Sequence, residues 1–309
     1  MVIQIAMSPA GPPEPNRDLA AGRVLLARTL DRMPPSALLL LAILSIQVSS
    51  AIATFLFSSV GPAGTALLTT GFSAVVLTLL SRPRIDRRLY DGAGLILLFG
   101  LADACMILPF FLALQSIPLG IASAIAFLGP LGLAVATSRR PVHFLWIGVA
   151  ALGVGLLTPV VGADLDPLGL GFAGLGALAW AAYVLLSKRA GRAFDGNDGL
   201  TLGLWAASLM LLPFAVAEGS LLQAGVLAIA GALVVALLNA VLPMTLEFRA
   251  LQRMSARTYG ILMTLEPAIG ALVGAVLLGQ GIGLRMSIAV ACVTVAALGV
   301  TLFEKQDGG

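Results

Sequence analysis

Apolar residues run through this chain in long, nearly unbroken stretches, separated by short segments that hold Gly, Pro and most of the charge. The period-2 alternation of a barrel strand is absent. Backbone in lipid must satisfy its own polar groups, which leaves helices as the spanning element. The runs predict helices near 35–57, 62–81, 91–115, 118–137, 143–160, 168–187, 199–217, 223–250, 255–278 and 284–303. An apolar helix of about 20 residues crosses the ~30 Å hydrocarbon core. The expected fold class is therefore all-α and integral to the membrane, with ten transmembrane helices.

Composition points the same way. Hydrophobic residues make up 59% of the 309 residues and charged residues 11%, with a mean hydropathy of +1.02. A soluble domain carries about 25% charged residues. Cys105 and Cys292 lie inside apolar runs and suggest neither a disulfide nor a zinc site. The net charge of +3 comes from basic residues scattered among short loops, which excludes a nucleic-acid patch. Residues 1–33 lack a cleavable leader pattern and are expected to form a cytoplasmic tail, disordered at least through its proline-rich part.

Basic residues are retained on the cytoplasmic side of short loops. With the N-terminus inside, 17 of the 18 Lys and Arg fall on the inner side, and Arg285 alone falls outside. A miscounted helix would flip every later loop and destroy this bias. Both termini are thus expected in the cytoplasm, with 304–309 as a C-terminal tail. Asp164, Asp166 and Glu218 fall in the outer loops.

The chain also repeats itself. "ALQSIPLGIASAIAFLGPLGLAVA" from Ala113 aligns without gaps to "ALQRMSARTYGILMTLEPAIGALV" from Ala250, at a constant offset of 137. Helices three to five correspond to eight to ten, so residues 34–160 and 161–303 form two five-helix repeats. An odd number of crossings inverts the second. Inverted repeats are a usual architecture of secondary transporters, with the substrate site near the midplane between the halves.

Within that frame "SIQ" (Ser45 to Gln47), "SIPLGIA", "SRRPV", "SKRAG", "LPMTLEFRAL" and "RTYGILMTLEPAIGAL" resemble the EamA branch of the drug/metabolite transporter superfamily. The chain is most similar to its threonine/homoserine exporters, with aromatic amino acid and methyl viologen exporters as close relatives. The resemblance covers nearly all of 33–303 and implies export of small amino acids or related metabolites across a bacterial inner membrane. Where such exporters commonly carry an Arg in the second helix and a Glu in the fourth, this chain has Thr69 and Ala126. A lone buried charge is strongly destabilising, whereas loss of both partners is tolerated. The common "GE" after the ninth helix is Gly279–Gln280 here.

Glu266 sits eleven residues from a cytoplasmic start near Ser255, about 16 Å deep at 1.5 Å per residue. An ionisable group there normally faces a cavity or a partner. It either meets cargo or bonds backbone freed by Pro267. Pro267 aligns with Pro130, and with Pro109 and Pro243 these prolines mark expected kinks in helices three, four, eight and nine, the candidates for lining the cavity. Asp103 is the second candidate carboxylate, or else is bonded to a neighbour. Gln47 and Asn239 would bind a polar ligand or, the preferred reading, act as interhelical glue. Trp180 and Tyr183, one turn apart, would offer an aromatic face to an ammonium group or simply pack. Glu247, near Arg249 and Arg253, is read as structural.

No Lys or Arg falls in the middle of a predicted span, which disfavours phosphorylated cargo and favours a zwitterion. The chain has one His, no GxSxG and no HExxH, so an intramembrane enzyme is a remote alternative and a channel another. The reading is a secondary transporter, not an enzyme. It needs no cofactor or metal, its partners are a small-molecule amino acid and the bilayer, and a monomer is expected. A drug or cation exporter is the runner-up.

Overall fold

The computed structural model describes residues 33–81, 83, 92–136, 142–155, 165–194, 198–221, 224–251, 253–254, 259 and 262–303. The expected tails at 1–33, apart from Met33, and 304–309 lie outside these residues, as do the basic positions Arg82, Arg84, Arg87, Arg88, Arg139 and Arg140. All regular structure among the described residues is helical, and none of it is strand.

The first helix, α1 (Pro35–Ser81), is two limbs joined at a break. Gly61 adopts φ 66° and ψ 170°, a left-handed conformation that only glycine enters cheaply, and Pro62 restarts the helix in its first turn. The limbs match the expected helices over 35–57 and 62–81. Then come α2 (Ala93–Leu114), α3 (Leu119–Ala136), α4 (Val142–Gly155), α5 (Pro167–Ala193) and α6 (Asp198–Glu218). After them lie α7 (Val226–Ala236), a π-helical turn (Leu237–Val241) and α8 (Leu242–Leu251). The described helices close with α9 (Glu266–Leu278) and α10 (Leu284–Phe303).

Among the described residues four helical stretches are long and apolar enough to cross a bilayer: Pro35–Leu80, Ala93–Leu114, Pro167–Ser187 and Asp198–Glu218. Large apolar side chains cover the outside, with Leu227 87% and Leu284 79% exposed. A surface of this kind is stable in lipid rather than in water. The interior is lined by alanines on most helices, including Ala51, Ala122, Ala173, Ala207, Ala232 and Ala289. Small residues suit helix contacts in a membrane, where backbones gain by close approach and apolar burial drives little.

Around this interior, α2 packs on α5 and α6, α3 on α5 and α9, α4 on α10, and α1 on α6, α7, α8 and α9. Glycines set the closest approaches. A Cβ on Gly100 would lie 2.6 Å from Ala206 Cβ and 2.8 Å from Gly203 O on α6. One on Gly129 would run into the Ala177 carbonyl of α5. One on Gly120 would lie 2.6 Å from Ala271 Cβ on α9.

Two expected helices are organised differently. The run 223–250 is not one kinked α-helix: its middle is the π-helical turn, in which the Leu242 N–H bonds to Leu237 O. This wider turn sits just ahead of Pro243, whose missing N–H already breaks the α-helical ladder. In 255–278 the described helix starts at Glu266, after a turn at Thr264–Leu265 in which Leu265 N–H bonds to Leu262 O at 3.1 Å. Pro267 thus stands in the first turn of α9, where its missing N–H costs nothing, instead of bending a helix interior. Pro109 and Pro130 do lie inside their helices.

Gly129→Ala is expected to lower the unfolding temperature in detergent and the yield of monodisperse protein. Gly132→Ala, with nothing within 4 Å of the added Cβ, is expected to be neutral or to stabilise by about 0.5–1 kcal/mol through helix propensity. Fluorescence-detected size exclusion after heating measures both.

Candidate functional site

A polar cluster inside this apolar bundle joins α1, α3 and α9. Gln47, on the first limb of α1, is 2% exposed, Ser123 on α3 is 3% exposed, and Glu266, the first residue of α9, is 7% exposed. The Gln47 Nε2 donates to Glu266 Oε1 at 3.4 Å. Its Oε1 accepts from the Ser123 hydroxyl at 3.1 Å. One carboxamide therefore serves two helices at once, which uses both the donor and the acceptor side of the group.

Local sequence explains why these groups meet. Pro267 fixes the start of α9, and a carboxylate in the first turn is favoured by the positive end of the helix dipole. Gly270, one turn on, leaves the space that Gln47 enters: a Cβ there would lie 2.9 Å from Gln47 Oε1 and 3.0 Å from Ser123 Oγ. The close approach of Gly120 to Ala271 brings α3 near enough for Ser123 to reach.

Glu266 is only half satisfied. Its Oε2 is buried and has no hydrogen-bond partner among the described residues. A buried carboxyl oxygen left unpaired is costly, and a group so placed takes a cationic donor or a proton as its partner. The cluster thus offers one free acceptor, held in place by an amide that a hydroxyl orients.

The opposite side of the same limb of α1 engages the π-helical turn. Ser45 Oγ donates to Leu238 O at 2.6 Å, and Ser49 Oγ, which donates to Ile46 O at 2.8 Å, lies 3.4 Å from Asn239 Oδ1. The two serines lie one turn apart, so "SIQVS" serves two polar contacts from one helix. A π turn leaves backbone groups out of the regular ladder, and Ser45 fills one of them.

The remaining expected residues lie elsewhere in the bundle. Asp103 is buried on α2, one turn from Phe99. Tyr183 stacks on Phe99 with centroids 4.8 Å apart, whereas Trp180 meets Phe127 edge-on at 6.2 Å. The two aromatics therefore pack into separate clusters and do not form one face. Thr69 is buried and bonds back to Thr65 O at 2.8 Å within its own limb, and Ala126 is buried on α3. Both positions of the missing charge pair are thus in the interior, where a single charge would be uncompensated. Glu247 accepts from the Tyr259 hydroxyl at 3.2 Å.

Ser45, Ser49, Ser123 and Gly270 escape a reading that ranks residues by charge and size. Their signal is a small residue inside a quoted motif or within two residues of one. Among the described residues no three His, Cys, Asp or Glu form a group able to hold a metal ion. A shallow apolar groove of about 330 Å³ between the second limb of α1 and α6, lined by Leu67, Phe72, Trp205 and Leu209 among others, shares no residue with the cluster.

Comparison with known proteins bears on what such a cluster serves. Residues 167–302 match the profile of the EamA-like transporter family. The chain is 37% identical over 277 residues to the threonine/homoserine exporter RhtA of Salmonella typhimurium, covering 88% of this chain and 93% of that one. It is 36% identical over 291 residues to the threonine/homoserine exporter RhtA of Escherichia coli K12, covering 90% and 96%. The backbone also matches a solved crystal structure with a TM-score of 0.56 and 20% identity, over 86% of this chain and 97% of that one, a likeness of fold alone.

Gln47→Leu is expected to destabilise the protein by about 1–3 kcal/mol, because it leaves Ser123 and Glu266 buried without their partner. Ser123→Ala removes the end of the chain only and is expected to cost less. Thermal unfolding of the purified variants in one detergent ranks them.

Proposed function

The chain belongs to the EamA-like transporter family, and from that premise we propose that it exports small amino acids of the threonine and homoserine type by alternating access. In this reading ten spans form two inverted five-helix repeats, with both termini in the cytoplasm of a bacterium and the cargo leaving across the inner membrane. The relatives are exporters, not enzymes.

One observation carries the cargo class: a buried carboxyl with a free oxygen, fixed by Gln47 and Ser123. No Lys or Arg falls in the middle of a predicted span, so the site offers an acceptor to an ammonium group but no fixed cation to a phosphate. A zwitterion matches it. The ammonium would meet Glu266 Oε2, and the carboxylate would meet N–H groups at the broken turn before α9 or at the start of a neighbouring helix.

Cargo with a small side chain suits this cluster. Gly270 and Ser123 bound it closely, and added volume there would displace the Gln47 amide. Discrimination by one extra methylene in such a site amounts to only about 10–200-fold, so a preference among amino acids is expected in place of absolute selection.

Counterflow in proteoliposomes tests the proposal. Protein preloaded with unlabelled threonine or homoserine should accumulate radiolabelled threonine, and Glu266→Gln should weaken this by about tenfold or more, the effect of losing a charge-assisted hydrogen bond to the ammonium. Protein that moves no amino acid of a panel spanning threonine, homoserine, methionine and the aromatic amino acids would remove the assignment.

A further inference from the structure

Three contacts join residues 34–160 to residues 161–303 at the face where α2, α6 and α9 end and where α3, α5 and the second limb of α1 begin. In the topology proposed for the chain this is the outer face, an assignment on which the inference rests. Glu218, the last residue of α6, accepts from the Ala63 N–H at 3.0 Å and the Gly64 N–H at 3.1 Å, both through Oε2. Gln280, just past α9, accepts from the Leu119 N–H at 3.0 Å. Asp166 caps α5 through the Leu168 and Gly169 N–H groups at 3.1 and 3.2 Å and also accepts from the Ser116 hydroxyl.

These contacts share one logic. The first N–H groups of a helix have no partner of their own, and the helix dipole makes that end favour acceptors. The second limb of α1 and α3 both begin without a side-chain acceptor of their own at that bond. Each is instead capped by a side chain more than 150 residues away in the chain. Every acceptor comes from 161–303, and every donor of the three contacts between the halves, Ala63, Gly64, Leu119 and Ser116, from 34–160.

Glycines keep room for each cap. Gly61 turns the chain at φ 66°, and the Glu218 carboxyl occupies the place a Cβ would take there. Gly279 at φ 63° folds the chain back over the end of α9, with the Gln280 N–H bonded to Gly274 O at 3.1 Å. A Cβ on Gly274 would collide with the Gln280 carboxamide, and one on Gly169 with the Ser116 hydroxyl.

We propose that Glu218 and Gln280, with Asp166 and Ser116 beside them, form the outer gate: they clamp the two halves shut at the exit face, and cargo leaves when the two caps let go. Rocking of one half against the other must separate donors from acceptors along this seam. Capping by a side chain of the opposite half, in place of one in the same helix, makes each helix start a sensor of how the halves sit. The bonds favour the closed exit without contacting cargo, so their loss shifts the balance between states and leaves the Gln47–Ser123–Glu266 cluster intact.

Cysteine labelling tests this directly. Ser123→Cys, in protein with Cys105 and Cys292 replaced by Ser, places the reporter in the central cluster, and a membrane-impermeant maleimide is applied from the outer side of oriented vesicles. Glu218→Ala and Gln280→Ala should each raise the labelling rate by about fivefold, the shift expected when a hydrogen bond that holds one of two states is lost. Glu218→Gln, which keeps an acceptor, should fall between. In a second arm Ala63→Cys with Glu218→Cys is oxidised to lock the seam, which should stop threonine counterflow until reductant restores it.

Unchanged labelling in all three variants, an increase only from the inner side, or normal counterflow through the locked seam would each overturn the gate. Labelling does not depend on cargo. Variants that label faster in a protein that moves no amino acid would therefore support the gate and remove the cargo assignment, and the converse separates the two the other way.

Discussion

A bilayer core supplies no hydrogen bonds, so each polar group in this chain must find its partner within the protein. That constraint organises the interior. Where a helix is broken, a side chain from elsewhere completes it: Glu218 at the start of the second limb of α1, Gln280 at the start of α3, Ser45 at the π-helical turn. Several buried polar side chains bond back to their own helix, as Thr65 and Thr69 do, and others join the Gln47 cluster. Among the described residues Glu266 Oε2 departs from the rule, as the Ser220 and Thr294 hydroxyls do, and as the carboxyl oxygen among them it is the focus of the candidate site.

Proline plays three parts in this scheme. Pro62 and Pro267 open helices, and no backbone bond is lost at either. Pro243 comes after a π-helical turn that already widens the ladder. Pro109 and Pro130 stay inside helices and give up a bond there. The inverted alignment pairs Pro130 with Pro267, yet one lies within α3 and the other begins α9. The pairing of positions is shared while the local use differs, because Glu266 and the turn before it have no counterpart beside Gly129.

Close packing and polar contact depend on each other here. Gly120, Gly129 and Gly270 bring α3, α5 and α9 to a separation at which short side chains such as Ser123 can act. Bulkier residues would fill the same apolar volume but hold the hydroxyl out of reach of Gln47. Fold and candidate site are therefore specified by many of the same small residues.

Much of this was legible in one dimension. The length and spacing of apolar runs dictated helices, since lipid permits little else, and the break at Gly61–Pro62 arises from residues that cannot continue a regular ladder, whereas a turn stands before Glu266 where the sequence led to a kink at Pro267. Gln47 and Glu266 stood out because a polar group in an apolar span needs a reason. What the sequence left open is which groups meet. Trp180 and Tyr183, neighbours on one helix, diverge to Phe127 and Phe99, while Gln47 and Glu266, 219 residues apart, share a hydrogen bond. Chain order fixes periodicity and breaks through local sterics. Partners across helices are decided by how the glycines and alanines of the whole bundle let backbones approach, and only the tertiary structure carries that information.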